Sequence, residues 1–441
     1  MKRPSTIRMS SRPAPQPSAV FIGIFSLTIF FARKIVRTIT PLIPPRFMNS
    51  KTTLALIAAS GFSIFSASAQ TFTWNQPAAA GTYNWNDPAN WTPDSGFPNA
   101  VGAVADMAID YTGGSVGVNF AGNPTVGILY VGDTDGETTV RFTGGGGSTH
   151  LTLSTSSGNA QINKVGTGLV EFQRYLQITS NTTIHASAGS LNFGATRVFA
   201  GSGHVTFTGA GITTISGGIL NDSLAYTGNM AVSSSGTLLL NTTVAPGGSG
   251  RLDVQDTGTL SGTGTAQRAT TIHSGGTLGS ELAMGTMAFS QGLVLSDDAN
   301  FRFTLTTDTV AGRGTAFNGI NVTGGTLAIQ EGALFNLAFD AAGSSVDFSN
   351  SFWQSNQSWM VFENSVAPDV TAGIFVLGSV SEDAFGNSFA VAGGSFGFEL
   401  EGNNIYLTYT AVPEPGTATF LMGTGLLAWV FKKRSRRPTR V

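Results

Sequence analysis

The chain has 441 residues, 57 of them glycine, none cysteine, and only 11% charged. The missing cysteine excludes a disulfide scaffold and thiolate chemistry, and 31 phenylalanines exclude a disordered chain. The net charge of -2 hides a strong asymmetry: nine Lys and Arg lie at or before Lys51 and six at or after Lys432, leaving eight against 24 carboxylates, or -16, for residues 70–410. So acidic a surface repels phosphate, which argues against a nucleic-acid partner.

Two N-terminal segments have the composition of export signals. Residues 19–32 are apolar and flanked by Arg and Lys, but 14 residues fall short of a spanning helix. The second begins at Met48, with Lys51, an apolar core over 54–65, and Ala67-Ser68-Ala69 as a small-residue cleavage site before Gln70. Residues 48–69 are therefore expected to be a signal peptide, and 1–47 an extended or mis-assigned start.

Residues 70–110 are rich in Trp and Asn. Trp74, Trp85 and Trp91 have two uses: an aromatic plug over the first open edge of a sheet stack, or a sugar-stacking surface. From 111 to 351 short strands alternate with Gly, Asn and Ser. Expected strands include 115–120, 125–131, 139–142, 150–154, 169–172, 182–185, 191–193 and 204–207. Gly-Thr-Leu recurs at 236–238, 258–260, 276–278 and 325–327, the first three copies 22 and 18 residues apart. That spacing suits one coil of a parallel β-helix, with Gly expected to give the corner its freedom in φ, Thr the extended backbone, and Leu the stacked core. The fold class expected is all-β, a parallel β-solenoid with capped ends; a Gly-rich antiparallel sandwich is the competing architecture. Residues 352–410 concentrate Trp and Phe and read as terminal rungs with a cap.

The residues give little support to catalysis. His150, His185, His204 and His273 form no metal-binding spacing. Asp133-Thr134-Asp135-Gly136-Glu137 has the start of an oxygen-rich cation loop but no Glu at the twelfth position. The adjacent pairs Asp297-Asp298 and Glu382-Asp383 would face opposite ways in a strand. No catalytic residue, metal or cofactor is expected, and the eight body cations are scattered along the sequence.

The tail is ordered as a signal. Pro413-Glu414-Pro415 is followed by an apolar run over 418–431, then by Lys432, Lys433, Arg434, Arg436 and Arg437. Counted from Pro415 the run has 17 residues, about 26 Å as a helix, the short end of a transmembrane span, with its basic stop favouring the cytoplasmic side. Residues 411–441 resemble the PEP-CTERM sorting signal. The resemblance implies passage through the general secretion machinery, an inner-membrane intermediate, recognition by an exosortase near Pro413, Glu414 and Pro415, and delivery to the cell surface or matrix. The body more diffusely resembles autotransporter passengers, though the membrane β-barrel of true autotransporters is missing. The expected function is a non-enzymatic structural protein of the cell surface or biofilm matrix. A carbohydrate-binding module on exopolysaccharide and a β-helical polysaccharide hydrolase or lyase are the alternatives.

Overall fold

A computed structural model describes residues 70–412, apart from 78–80, 137, 145–147, 220–224, 246–249 and 372. The chain coils as a parallel β-helix. Each turn of the coil lays strands on successive faces, and each strand pairs in parallel with its counterpart one turn later. On the first face the ladder runs Val104–Ile109, Ile128–Asp133, Ala160–Lys164, Thr182–Ala186, Val205–Thr208, Met230–Val232, Leu252–Val254, Thr270–Ile272, Leu293–Leu295 and Leu327–Ile329. The second face carries an equivalent ladder from Gly81–Asn84 to Val376–Val380. Each of these sheets has 12 strands, about 53 Å from first to last at a strand spacing of ~4.8 Å. The parallel pairing excludes the antiparallel sandwich.

The third face is divided. Thr125–Val126, His150–Leu153, Tyr175–Ile178 and Phe199–Gly201 form a four-strand ladder. A second ladder starts at Thr243–Val244 and continues through Thr265–Ala266, Thr286–Phe289 and Gly319–Val322 to Gln357–Asn364. In the turn between them Tyr226 still pairs with Gly201, while Ile219 already pairs with Val244.

Period-two alternation builds the core. Ser115–Phe120 buries Val116, Val118 and Phe120, and Thr182–Ala186 buries Ile184 and Ala186. Stacking coils places like residues above one another. Phe142 and Phe172 have ring centroids 4.4 Å apart and nearly parallel, and Phe172 and Phe193 are 5.3 Å apart. Ile215 and Leu240 continue that column, while Leu238, Leu260 and Leu278 belong to a second inner column that aligns with Val140, Val170 and Leu191. Strand ends differ from the sequence expectation by one or two residues, as at 125–131, which breaks at Gly127 into two strands.

The Gly-Thr-Leu repeat marks the corner between the first and second faces, for a reason other than the one expected. Gly236, Gly258 and Gly276 each close a tight turn, donating their N–H to the carbonyls of Ser233, Gln255 and His273 at 2.9 Å. The left-handed residues stand earlier in these turns: Ser234 and Ser235, Asp256, and Gly275. What the repeat glycine provides is close approach. A Cβ on Gly258 would lie 2.4 Å from the Val232 carbonyl oxygen of the preceding coil, and one on Gly276 would lie 2.7 Å from that of Val254. The fourth copy does not belong to this column, because Leu327 pairs with Leu293 on the first face. Coil length explains the slip: it is 18 residues from Leu252 to Thr270 but 34 from Leu293 to Leu327, and reaches 42 from Leu334 to Val376. Gly258→Val is expected to cost about 2–3 kcal/mol by forcing two coils apart, read as a lower urea midpoint with an unchanged slope.

Both ends of the stack turn antiparallel. At the start, Thr71–Trp74 pairs with Trp91–Thr92 on one side and with Val104–Ile109 on the other. At the finish, Asn404–Thr410 lies between Gln357–Asn364 and Ser395–Glu401. Phe398 of this hairpin lies 4.9 Å from Phe335, and Phe396 lies 5.9 Å from Phe339, so it folds across the end of the core. No helix among the described residues is long and apolar enough to cross a membrane. The apolar run at 418–431 lies outside the described residues.

Candidate functional site: the sorting signal and the body that presents it

The last strand fixes where the tail begins. Tyr409 is buried, and its hydroxyl donates to the carbonyls of Trp353 and Ala392, both at 2.8 Å. Ala411 N–H is held by Asn356 Oδ1 at 3.0 Å, and Val412 is then 61% exposed. The chain is therefore tied to the body up to Ala411, two residues before Pro413. Pro413, Glu414, Pro415 and the basic residues 432–437 lie outside the described residues. Ala67 and Ala69 do too, whereas Gln70 is exposed at the first described position.

The observation that decides this segment is a sequence match. Residues 411–437 match the PEP-CTERM protein-sorting motif. None of the curated proteins matches the chain. The PEP-CTERM motif marks an exosortase-targeted exported protein, and it starts at Ala411, the residue that Asn356 holds to the body.

The Trp-rich opening is a plug, which corrects the sugar-stacking expectation. Trp74, Trp85 and Trp91 are at most 2% exposed. Trp91 packs edge-on against both others at 4.9 Å, and Trp85 meets Phe120 of the first full coil at 5.5 Å. Their indole N–H groups are spent internally: Trp85 on the Pro98 carbonyl at 2.9 Å, Trp91 on that of Trp85 at 2.7 Å, and Trp74 on that of Gln76 at 3.2 Å. No ring face is left for a sugar. An open first coil would expose apolar area, and burying the rings there covers it.

The few cations of the body are mostly occupied between coils, which sequence alone did not indicate. Arg268 is buried and donates to the carbonyls of Ala245, Gly228 and Tyr226 at 3.0, 2.6 and 2.6 Å, with its guanidinium 5.0 Å from the Tyr226 ring. Arg313 donates to the carbonyls of Met360, Ile320 and Val361 and pairs with Glu363. Arg174 donates to the Gly144 carbonyl. Lys164 is buried, its Nζ bound to the carbonyls of Gly166 and Ala188 at 2.5 and 2.6 Å.

Burial pulls the Lys164 ammonium down to about 8, from 10.5 when exposed. Between these values the unfolded chain holds the proton and the folded chain releases it, so stability rises with pH. The phenols of Tyr111 and Tyr226 are pushed up, mainly by burial, so above about pH 10 the unfolded chain loses protons the folded one keeps, and stability falls. The expected profile gains on the order of 2 kcal/mol from pH 8 to 10 and then declines. Lys164→Met should lose the rising arm in melting curves taken across that range.

The histidines are not brought together. His150 stacks on Tyr175 at 4.6 Å, His185 meets Thr208 Oγ1, His204 Nδ1 accepts from Asn229 N–H, and His273 pairs with Asp253 at 2.9 Å. Among the described residues one carboxylate group is close enough to share a cation: Asp110, Asp133 and Asp135. Asp133 is buried and used by the turn, accepting from Tyr111 N–H at 3.2 Å and Thr138 N–H at 3.0 Å. Burial opposes its charge, but these bonds outweigh burial and hold its carboxyl below the usual range. Asp135 is shifted up by its hydrogen bond with Asp110 and by the negative charge there. Glu137 lies outside the described residues. Asp383 is likewise structural, holding the N–H groups of Phe348, Phe385 and Asn387.

One polar groove of about 470 Å³ opens on the outer side of the second face. Asn300, Arg302, Asn336, Asp340, Ser379 and Ser381 are among its lining. Asn336 Nδ2 donates to Asn300 Oδ1 at 3.0 Å, and Ser379 N–H donates to Asn336 Oδ1 at 2.8 Å, so the wall is a cross-coil amide ladder. Arg302 pairs with Glu281 at 3.2 Å, while its buried Nε has no partner.

Proposed function

We propose that this chain is an inner-membrane intermediate that exosortase converts into a non-enzymatic structural element of the cell surface or biofilm matrix. The observation carrying the reading is the position of the sorting motif, which starts where the tied-down last strand ends. A protease needs an extended, accessible segment, and Pro413 and Pro415 disfavour helix in the residues before them. The body supports a mechanical role: coils stacked in register, both ends folded over, and cations consumed in joining coils. Deleting the gene should weaken matrix cohesion, and expression of the full chain should restore it. Unchanged cohesion in the deletion strain would count against a structural role.

A second reading is favoured by the groove on the second face. Its amides, hydroxyls, guanidinium and single carboxylate can donate to and accept from sugar hydroxyls. A carbohydrate-binding module would use this groove rather than the buried tryptophans. Arg302→Ala with Asp340→Asn should then reduce retention on native exopolysaccharide at least tenfold, with Trp85→Phe leaving it unchanged. A hydrolase needs two converging carboxylates, and Asp340 is the only one in the lining.

A further inference from the structure

The two ends of the solenoid are finished differently. At the start the tryptophans are buried, and Val101, at 56%, is the one exposed large apolar residue described before Tyr130. At the finish Trp353, Trp359 and Tyr409 are buried, yet seven of the eleven exposed large apolar residues among the described ones lie at or after Val366. They include Val376 at 51%, Leu377 at 40%, Phe385 at 68%, Val391 at 52%, Leu400 at 43% and Val412 at 61% exposure. All lie on the last coil or on the segments folded across it, as the contacts of Phe375 with Phe398 and of Phe389 with Tyr409 show. Val376–Val380 and Ser395–Glu401 are also the outermost strands of their ladders. The same region, 366–412, contains five carboxylates and no Lys or Arg.

We infer that this end face rests on the surface of a zwitterionic bilayer while the chain awaits processing. The inference rests on the sorting reading, since it needs residues 418–431 in the membrane. Six residues, 412–417, separate Ala411 from that run, a tether of at most about 20–22 Å. The exposed apolar end is therefore kept within reach of the bilayer that receives the tail. Two properties set the depth and the lipid. Open strand edges cannot enter hydrocarbon with unpaired backbone groups, so the face sits at headgroup level. Four of the five carboxylates are exposed, Asp383 being buried and hydrogen-bonded, and without a cation beside them they disfavour anionic lipid. They also disfavour a second copy docked end to end, which would bring eight exposed carboxylates together with no Lys or Arg of this region to pair them.

The test uses the full chain in phosphatidylcholine vesicles. Because the protein has no cysteine, single sites label cleanly. An environment-sensitive fluorophore is placed at Phe385→Cys, Val391→Cys, Gln255→Cys on a distant corner, and Gly423→Cys in the tail, and nitroxide lipids serve as quenchers. The expected result is quenching at 385 and 391 at least threefold above that at 255, together with strong quenching at 423. Quenching at 423 alone overturns the inference and leaves the sorting reading standing. A concentration-dependent blue shift at 385 and 391 without lipid quenching also overturns it, in favour of a second copy. No quenching at 423 removes the membrane segment itself, and the inference with it. Agreement between 385 and 391 guards against one label distorting its site.

Discussion

Arg268→Ala loses about 3 kcal/mol or more of stability. The guanidinium ties the carbonyls of Tyr226 and Gly228, in one coil, to Ala245 in the next. Burial pulls its pKa down, so holding the charge there is itself unfavourable; the three carbonyl bonds and the Tyr226 ring offset that cost. Removing the side chain leaves buried acceptors without donors, each worth ~1–3 kcal/mol. It also opens the point where the third face passes from one ladder to the other. Since each coil contacts mainly its neighbours, the damage should be local. Amide exchange should accelerate in strands from Met230 to Ile272 and stay unchanged near Trp85. Arg268→Lys, which cannot span three carbonyls, should recover only part of the loss. Equal exchange along the whole solenoid would show that the coils unfold as one unit and that Arg268 is no local staple.

Replacing Pro413-Glu414-Pro415 by three alanines blocks processing. The motif directly follows a strand bonded on both sides, and Tyr409 pins that strand to Trp353 and Ala392. An enzyme acting at the tail gains no slack from the body and depends on the residues after Ala411. The expected result is at least a tenfold rise in membrane-bound full-length chain and a matching fall in the surface fraction, by quantitative immunoblot of fractions. The body should remain folded, because the altered residues follow Ala411, which makes the last hydrogen bond among the described residues. Normal release of the alanine variant would mean that Pro413, Glu414 and Pro415 do not direct processing.

Much of the fold is legible in the sequence because the solenoid is nearly one-dimensional. Alternation at 115–120 and 169–172 specifies both strand and buried side, and three Gly-Thr-Leu copies specify the coil length where they stand. The reason for the glycine was less legible. Its neighbour is the carbonyl of the preceding coil, about 20 residues away, whereas the turn's left-handed positions are filled by Ser234, Ser235 and Asp256 as well as by Gly275. Coils of variable length carry Leu327 onto another face, and no local signal marks the division of the third face near Tyr226. The internal roles of Lys164 and Arg268 were hidden for the same reason: a scattered cation looks solvated until stacking brings carbonyls to it. The tryptophans were ambiguous because plug and platform share a composition, and only burial separates them. The tail was legible because its motif, apolar run and basic stop follow one another in sequence without help from the fold.

The central claim is that the mature protein is the solenoid freed of both ends, and intact mass of the native protein, fraction by fraction, tests it most directly. The account predicts a surface or extracellular species beginning near Gln70 and ending near Pro413, with the full tail present only in the inner membrane. A surface species retaining Arg440, or a body confined to the inner membrane with its tail uncut, would contradict it.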